Sequence, residues 1–404
     1  MQHSSSKDTA EPKLLLIPGA CHTLGGTLIT LSSLIKGFAQ LGRLNDLCVF
    51  VQANSQAEHY LMAAGQRSCI RSIVADREDQ FFSHALRWVH KQPIHWPLLL
   101  DNTVQKQLLP SLLRAAPILR QSGRPTFHFC HDLASSYHPL GYWGRRLPFW
   151  LLSPQTLCNS RFTAEHIYQL MPKILAILYQ PIDTDRFSPA RPTKTSPPPA
   201  IATLRKSGAR ILLTPSRITQ PGQFNDKNLR AIIPLLACLK AGGHNYHSII
   251  LGEDQSEKRV YSHQLLDAAE QQGVRDRLTI LPPQLEIENY YRFADLTVTL
   301  APREPFGRTV VESIACGTPV IGSNTGGIGE ILRNFAVHWT ASPDDAAAAA
   351  AAVLRLANAS DTSETLQQGQ RWIQEHCNLV KYASQIIQLT GLNNRYPARL
   401  QVKG

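Results

Sequence analysis

The 404-residue chain lacks several features that mark special classes of protein. It has no run of 18 apolar residues, which argues against a membrane-spanning helix. Its first stretch, MQHSSSKDTAEPK, is polar and has no apolar core of the signal-peptide kind, so we expect no secretory signal. Aromatic residues make up only 7% of the chain, and no RNA- or DNA-binding signature is present. We therefore expect no nucleic-acid partner.

The cysteines also lack a pattern. None forms a CxxC pair, and no HExxH or other ligand-spaced cluster of His, Cys, Asp and Glu is present. Most of the cysteines lie in apolar runs, so we predict reduced thiols in the core of a cytoplasmic protein, and no metal. The eight cysteines are Cys21, Cys48, Cys69, Cys130, Cys158, Cys238, Cys316 and Cys377.

Composition and charge narrow the class of protein further. Hydrophobic residues make up 43% and charged residues 18%, which is typical of a globular protein, and the length suggests two domains. The formal net charge is +11, and residues 1–190 hold 18 basic and 12 acidic side chains. The surplus of positive charge is thus spread along the chain and not gathered in one segment. Such a surplus favours an anionic small molecule or an acidic membrane surface as the binding partner at least as well as nucleic acid.

Short apolar runs alternate with longer helical patterns along the chain, which predicts parallel sheets with helices on both faces. The predicted strands cover 13–20, 47–53, 97–102, 126–132 and 155–160, and then 210–216, 247–253, 277–283, 296–302 and 318–323. The main helical patterns cover 25–42, 227–241, 257–272, a stretch from about 308, 343–359 and 372–391.

The stretch SPARPTKTSPPPA, residues 188–200, is rich in Pro and Ser and interrupts this alternation. We therefore predict an α/β protein with two tandem doubly wound, Rossmann-like domains. The predicted segments are an acceptor-side domain (1–190), a linker (191–200), a donor domain (201–368) and a C-terminal helix packing back toward the first domain (369–404). Ligands of such sheets bind at the carboxyl ends of the strands, so two facing domains would form a cleft there.

The stretch EPFGRTVVE places Glu304 and Glu312 eight positions apart, just after a predicted strand. Gly307 allows a close backbone approach to a ligand, and the free N–H groups of the helix that follows would attract phosphate. Carboxylates accept hydrogen bonds from hydroxyl groups. The combination fits a nucleotide sugar. The alternative is that Glu312 is a solvated helix residue and Glu304 a turn residue.

The longer run EPFGRTVVESIACGTPVIGSNTGGIGEIL resembles the donor-binding signature of retaining glycosyltransferases of family 4, which have the GT-B fold. The pattern is Glu, seven residues, Glu, small-Gly-x-Pro-Val and a later Gly-Gly. The resemblance implies that Glu304 contacts the hydroxyls of the transferred sugar, with the backbone of Phe306 and Gly307 facing that sugar. It implies that Glu312 binds the ribose. Gly326 and Gly327 fit either a turn near the donor or a purely structural turn.

The family also supplies an Arg and a Lys after the first strand of the second domain, to stabilise the leaving diphosphate. Arg217 and Lys227 occupy those places here, but they are ten positions apart where relatives commonly have about five, and QPGQF is inserted between them. Arg230 is an alternative that would face solvent. Leu281, in the run ILPP, lies where relatives contact the base.

In the first domain, GACHTLGGTL follows the first strand. The resemblance implies that Gly25 and Gly26 lie near the donor diphosphate. His131 and Asp132 lie at the carboxyl end of a predicted strand. The family has a histidine near this point that reaches the sugar, and Asp132 would orient the ring of His131. A structural histidine is the alternative. Asp183 and Asp185 mimic a DxD metal motif, but their place beside the linker favours a structural role.

Residues 137–152, YHPLGYWGRRLPFWLL, combine aromatics with paired arginines. Tyr137, Tyr142, Trp143, Phe149 and Trp150 beside Arg145 and Arg146 would suit a membrane interface or a lipid-linked acceptor. They would equally suit an ordinary packed loop. The sequence leaves both readings open.

The sequence thus predicts a metal-independent retaining glycosyltransferase that moves a sugar from a nucleotide-sugar donor to a saccharide or lipid-linked hydroxyl acceptor. It would use no cofactor other than the donor substrate and would act in polysaccharide or glycolipid assembly, in the cytoplasm or peripherally at the inner face of the membrane. One alternative is a nucleotide-sugar epimerase or a phosphorylase on the same fold. Another is a non-catalytic protein that binds a nucleotide sugar.

Overall fold

The computed structural model describes residues 11–22, 25–135, 138–189, 196–221 and 226–393. The chain divides into two compact units. The first comprises residues up to Pro181 together with those from Asn378 onward, and the second comprises Ile182–Cys377. The division therefore falls at Ile182, nine residues before the predicted linker, and α-helix begins again inside that linker at Pro199.

The first unit is built on a parallel sheet that has seven strands within the described residues, in the order β3-β2-β1-β4-β5-β6-β7. Its central strands are fully buried, as their apolar runs predict. The strands are β1 Leu14–Pro18, β2 Leu47–Gln52, β3 Ile70–Ile73, β4 Leu98–Asp101, β5 Thr126–Cys130, β6 Gln155–Cys158 and β7 Ile174–Ile177.

The second unit repeats the architecture with a six-stranded parallel sheet in its described part, in the order β10-β9-β8-β11-β12-β13. The chain passes from the middle of the sheet to one edge and then returns to the other side, which creates a switch point between β8 and β11. The strands are β8 Arg210–Pro215, β9 Tyr246–Leu251, β10 Leu278–Leu281, β11 Leu296–Thr299, β12 Val320–Ser323 and β13 Thr340–Ala341.

Helices cover the two sheets. In the first unit they are α1 Gly26–Gln40, α2 Gln56–Ala63, α3 Glu78–His90, α4 Leu109–Gln121, α5 Pro139–Leu152, α6 Arg161–Ile167 and, after the second unit, α15 Leu379–Leu389. In the second unit they are α7 Pro199–Lys206, α8 Ile232–Ala241, α9 Val260–Gln271, α10 Ile287–Phe293, α11 Arg308–Ala315, α12 Gly326–Leu332, α13 Ala346–Asn358 and α14 Thr362–His376.

The C-terminal segment differs from its prediction as one helix. The amphipathic pattern over 372–391 is interrupted at Asn378, which has an extended backbone and whose side chain accepts a hydrogen bond from the Lys381 N–H. The segment therefore forms two helices: α14 belongs to the second unit and α15 to the first, where α15 packs against α1. α13 lies within the helical pattern predicted over 343–359, and Asp345 caps its N-terminus by accepting from the Ala348 N–H.

The predicted thiols are free in the described structure, and most of them are buried. Burial raises the pKa of Cys21, Cys158 and Cys316 to about 12. Cys238 on α8 is exposed and so departs from the expected core position. Among the described helices, none is both long and apolar enough to cross a bilayer.

Candidate functional site

The loop that carries Glu304 leaves the second sheet at the end of β11. Gly307 closes this loop with φ of 101°, in the left-handed region that favours glycine, and α11 begins at the next residue. A Cβ at Gly307 would lie 3.1 Å from the Ile328 side chain. Phe306, the residue before it, is buried at 2% exposure. The Pro-Phe-Gly sequence therefore fixes the conformation in which Glu304 is presented at the carboxyl edge.

The downstream pair of glycines supports the same loop. The Gly327 N–H donates to the Glu304 carbonyl at 2.7 Å, and a Cβ at Gly327 would lie only 2.4 Å from the Phe306 carbonyl oxygen. A Cβ at Gly326, which has φ of 64°, would lie 3.0 Å from the Glu304 carbonyl oxygen. Side chains at either position would displace the loop. Gly-Gly thus has a structural use here.

The Glu304 side chain meets a cation from the other side of the switch point. Lys227 Nζ lies 2.6 Å from Glu304 Oε2, and the two side chains are 20% and 22% exposed. The ten-residue separation from Arg217 therefore does not keep Lys227 away from Glu304. Residues 222–225, which include the last three of the inserted QPGQF, lie outside the described residues.

Asn228 holds Lys227 in place. It has φ of 52°, and its buried amide donates to the carbonyls of Leu300 at 3.1 Å and Pro343 at 2.8 Å. Leu300 lies in the segment that leads from β11 to Glu304. One side chain thus ties the lysine loop to the glutamate loop.

The other predicted donor-site residues are distributed along the same edge. Arg217 follows β8 and is exposed, whereas Arg230 pairs with Asp226. The Arg230 side chain is thus paired with a carboxylate. It is also half exposed, which agrees with the expectation that it faces solvent. Leu281 ends β10, and its carbonyl accepts from the Gly252 N–H at 3.0 Å.

Glu312 lies on α11 and is buried at 7% exposure. Its Oε2 accepts from the Tyr291 hydroxyl at 2.9 Å, and its Oε1 lies 3.1 Å from Arg308 Nε. Burial raises the pKa of the carboxyl group, and the nearby Arg308 and the Tyr291 hydrogen bond oppose that rise. Burial, together with the adjacent Glu312 carboxylate, raises the pKa of Tyr291 well above its ordinary value. Glu312 is therefore not the solvated helix residue of the alternative reading.

Gly25 and Gly26 lie at the start of α1, at the carboxyl edge of the first sheet. Gly25 has an extended backbone, and a Cβ there would have open space around it. Gly26 is exposed, and its carbonyl accepts from the Thr30 hydroxyl at 2.8 Å. Residues 23 and 24 of the loop lie outside the described residues. The described residues thus leave room beside Gly25 for a larger group.

His131 lies at the same edge of the first sheet, with both ring nitrogens engaged. Its Nε2 is 2.8 Å from Asp101 Oδ1, and its Nδ1 is 3.0 Å from Gln180 Nε2. The side chain is only 2% exposed. Since an amide nitrogen is a donor, Nδ1 accepts and the Nε2–H donates to Asp101. A sugar would reach this ring only if one of these bonds opened.

The expectation that Asp132 orients the imidazole is wrong, because Asp101 does so. Asp132 Oδ1 accepts instead from the Ala134 N–H at 3.1 Å. Asp101 ends β4, which pairs with β5, the strand that precedes His131. Neighbouring strands therefore bring together residues that are 30 positions apart in the sequence.

A second histidine, His128, lies inside β5 and is fully buried. Its Nε2 accepts from the Thr103 N–H at 3.1 Å, and its Nδ1 lies 3.1 Å from Cys130 Sγ. Burial lowers the pKa of His128 to about 3, and the neighbouring His131 adds to that effect. His128 is therefore neutral at pH 7.

Taken by unit, the structure brings Glu304, Phe306, Gly307 and Lys227 together in the second unit, with Glu312 on the adjoining helix. It places Gly25, Gly26 and His131 at the edge of the first sheet. Sequence reasoning missed five supporting residues, Asp101, Gln180, Asn228, Tyr291 and Arg308. The spacing of four between Arg308 and Glu312 is a signal that would have found one of them.

Among the described residues, no group of three or more His, Cys, Asp or Glu side chains could hold a metal ion. The Asp183-Thr-Asp185 stretch forms a local turn instead, in which Asp183 Oδ1 accepts from the Asp185 N–H at 3.2 Å. Metal independence stays a prediction.

Comparison with known proteins bears on the second unit in particular. The family model of glycosyl transferases group 1 matches residues 206–372. The D-inositol 3-phosphate glycosyltransferase of Thermobispora bispora is 30% identical over 189 residues, which are 45% of this chain and 42% of that protein. The chain thus aligns with less than half the length of this curated relative.

Solved structures match over nearly the whole chain. Anabaena Alr3699/HepE in complex with UDP and glucose has a TM-score of 0.74 at 18% identity, covering 94% of this chain and all of that one. The sucrose-phosphate synthase of Thermosynechococcus elongatus has a TM-score of 0.67 at 17% identity, covering 95% of this chain and 99% of that one. These likenesses confirm the two-domain, Rossmann-like GT-B fold.

The family match includes both glutamates and both predicted cations of the second unit. This match confirms that the chain resembles the glycosyl transferases of group 1, the resemblance on which the predicted function rested. Assignment to family 4 and the retaining course of the reaction are finer statements, and they stay predictions.

Proposed function

Starting from a group 1 glycosyl transferase domain in the second unit, we propose that the protein transfers a sugar from a nucleoside-diphosphate sugar to a hydroxyl acceptor, with retention at the anomeric carbon. The observation that carries the proposal is the Lys227–Glu304 pair, 2.6 Å long and partly exposed at the carboxyl edge of the second sheet. An ion pair at a switch point can exchange its partners for a ligand that carries both phosphate and hydroxyl groups.

In this proposal the pair opens when the donor binds. Lys227 turns to the diphosphate, joined by the exposed Arg217, while Glu304 accepts hydrogen bonds from the sugar hydroxyls. Glu312 accepts from the ribose, which requires the Tyr291 or Arg308 contact to loosen. Asn228 keeps the lysine and glutamate loops in register throughout.

The chemical step breaks the bond between the anomeric carbon and the diphosphate oxygen and forms a bond from the acceptor oxygen to the same face of that carbon. The acceptor hydroxyl loses its proton to a phosphate oxygen of the leaving group. Lys227 and Arg217 stabilise the charge that develops on the diphosphate, and removal of such a contact costs on the order of 3–4 kcal/mol of transition-state stabilisation.

Two neighbours guide the choice of substrates. The Anabaena structure holds UDP and glucose, which makes UDP-glucose the first donor to test. The curated relatives are named for D-inositol 3-phosphate, a hydroxyl acceptor that carries phosphate. We propose acceptors of the saccharide or lipid-linked kind, in polysaccharide or glycolipid assembly, and include inositol phosphate in the panel.

The first test is donor binding, measured as the shift in melting temperature that UDP, GDP, ADP, CDP, dTDP and their sugars cause. Ligand at about 100 times its dissociation constant adds about 2.7 kcal/mol to the unit that binds it. One base should raise a melting temperature, and Glu312→Ala should lose that shift. Glu257→Ala, which removes an exposed carboxylate of the same unit, is the control.

The second test is turnover with the selected donor. Glu304→Ala should abolish transfer, and NMR of the product should show the anomeric configuration of the donor.

Conversion of the donor without any acceptor would favour an epimerase, and dependence of the reaction on inorganic phosphate would favour a phosphorylase. Binding without turnover across the panel would favour the non-catalytic protein. Full activity of Glu304→Ala would overturn the proposed site. Activity that survives EDTA would support metal independence.

A further inference from the structure

One face of the first unit has an unusual composition. Residues 139–152 form helix α5, in contrast to the packed loop that was one reading of this stretch, and Tyr137 lies outside the described residues. α5 buries Phe149 and Leu152 but also leaves an apolar stripe in solvent. The stripe consists of Leu140, Trp143, Leu147 and Trp150, which are 73%, 58%, 48% and 64% exposed.

The spacing of these residues is three, four and three, so they share one side of the helix. A surface helix of a globular protein normally has polar residues on its outer side. α5 has the reverse arrangement, with two tryptophans and two leucines outward. A contiguous exposed apolar stripe of this size indicates an interaction surface.

The charged side chains of α4 and α5 are of one sign. Arg146 stacks on the Trp143 ring, with its Cζ 5.0 Å from the ring centroid. α4 packs against α5 and presents the exposed Arg120 beside it. Arg120 also donates to the Leu151 carbonyl at 3.4 Å, which ties the two helices together.

Acidic residues are nearly absent from the same part of the chain. Between Asp79 and Glu165 the only acidic residues of the sequence are Asp101 and Asp132. Asp101 ends β4 and Asp132 comes shortly after β5, so both lie at the carboxyl edge of the sheet. Asp101 is buried against His131. Helices α4 and α5 therefore carry arginines and no carboxylates.

We propose that the α4–α5 face, defined by the α5 stripe with Arg120 and Arg146, docks onto an anionic phospholipid bilayer. Tryptophan and leucine enter the interface between headgroups and acyl chains, and the arginines lie among anionic headgroups. Apolar insertion and charge attraction together are what reversible membrane docking requires. The α4–α5 face lies entirely in the first unit, so the inference is independent of the donor site.

Cosedimentation of the full chain with vesicles tests the proposal. Vesicles of phosphatidylcholine with about 40% phosphatidylglycerol should retain the protein, pure phosphatidylcholine should not, and about 0.5 M NaCl should release it. The variant Trp143→Ser/Trp150→Ser/Arg146→Glu should lower the partition coefficient at least about tenfold. Val337→Ser/Arg355→Glu, which changes an exposed valine and arginine of the second unit, is the matched control and should bind as the wild type does.

The wild type also gives a readout that needs no variant. Brominated phosphatidylglycerol should quench part of its tryptophan fluorescence, because Trp143 and Trp150 would lie at the acyl boundary. Failure of the wild type to bind anionic vesicles would overturn the proposal, as would equal binding by the folded triple variant. A dimer in light scattering that the triple variant loses, without vesicle binding, would assign the stripe to a second copy of the chain instead.

Discussion

At the carboxyl edge of the first sheet, Asp101, His131 and Gln180 are bonded to one another and nearly sealed from water. At the same edge of the second sheet, Lys227 and Glu304 pair while about one-fifth exposed, and Arg217 extends into solvent. The two units share an architecture, yet the charged groups of these two clusters differ in accessibility, nearly buried in the first unit and partly exposed in the second. A buried network with every partner present stabilises a structure, whereas an accessible ion pair can exchange partners with a ligand.

The comparison is tested most strongly at Lys227. Lys227→Met should lower kcat/KM for transfer by about 10²–10³-fold, because it removes a cation from the developing diphosphate charge. The melting temperature should change little, since a partly exposed ion pair contributes about 0–1 kcal/mol. Release of nucleoside diphosphate measures the first effect. The exposed Lys206→Met is the control. Activity within about threefold of wild type would remove Lys227 from the site.

The opposite pattern is expected at Asp101. Asp101→Ala leaves the buried Nε2–H of His131 without its acceptor, and it should lower the free energy of unfolding of the first unit by about 2–3 kcal/mol. Urea unfolding measures the loss. Asp101→Asn keeps an acceptor oxygen and should restore most of the stability. Asp132→Ala should have a smaller effect, because that carboxylate bonds only a loop N–H in the described structure. Equal losses at the two aspartates would contradict the assignment.

Acid should also weaken the first unit through His128. Its pKa of about 3 in the folded chain lies below the ordinary 6.5, so the unfolded chain binds more protons between these values. Stability is therefore lost as the pH falls from 6.5 toward 3, by about 2 kcal/mol at pH 5. His128→Gln keeps an acceptor for the Thr103 N–H but does not titrate. Unfolding from pH 8 to pH 5 should show a shallower decline in this variant than in wild type.

The smallest effect on stability is expected at Glu312. Its pKa is raised in the folded chain, so the folded state binds more protons above the ordinary pKa, and the unfolding free energy falls as the pH rises through that window. Glu312→Gln should therefore be at least as stable as wild type at pH 7, while nucleotide binding weakens. Melting curves at pH 4 and pH 7, with and without nucleotide, measure both. Clear destabilisation of the second unit at pH 7 would make Glu312 a purely structural residue.

The fold could be predicted from the sequence where strands are central and continuously apolar. The three strands that were missed, β3, β7 and β13, lie at sheet edges, where a strand has fewer neighbours and a weaker apolar pattern. The helix break at Asn378 was missed because apolar residues continue on both sides of it. Edge strands and helix caps depend on tertiary contacts, which the hydrophobic periodicity of the sequence does not reveal.

The candidate site divides in the same way. Glu304, Gly307 and Glu312 belong to one continuous motif, so local pattern located them. The partner of His131 was sought next to it in the sequence, but strand pairing supplies Asp101 from β4. The anchoring role of Asn228 required the positions of Leu300 and Pro343, which no local pattern contains.

The return of the chain to the first unit has a consequence for protein synthesis. Residues 182–377 form the second unit, and its two ends are joined by a hydrogen bond from the Ile182 N–H to the Cys377 carbonyl at 2.9 Å. That unit holds all its residues before α15 is translated. The first unit, in contrast, waits for Tyr382, Ala383, Ile386 and Ile387, which belong to its core.

At about 5–20 residues per second, a ribosome needs on the order of 10–40 s to add the intervening segment. Throughout that time the face of α1 that α15 covers remains open. Gly37 marks the close fit of the two helices, because a Cβ there would lie 2.5 Å from the Leu379 carbonyl oxygen. The half of the protein that is made first is therefore the last to close, and a nascent-chain chaperone would find its apolar target on α1.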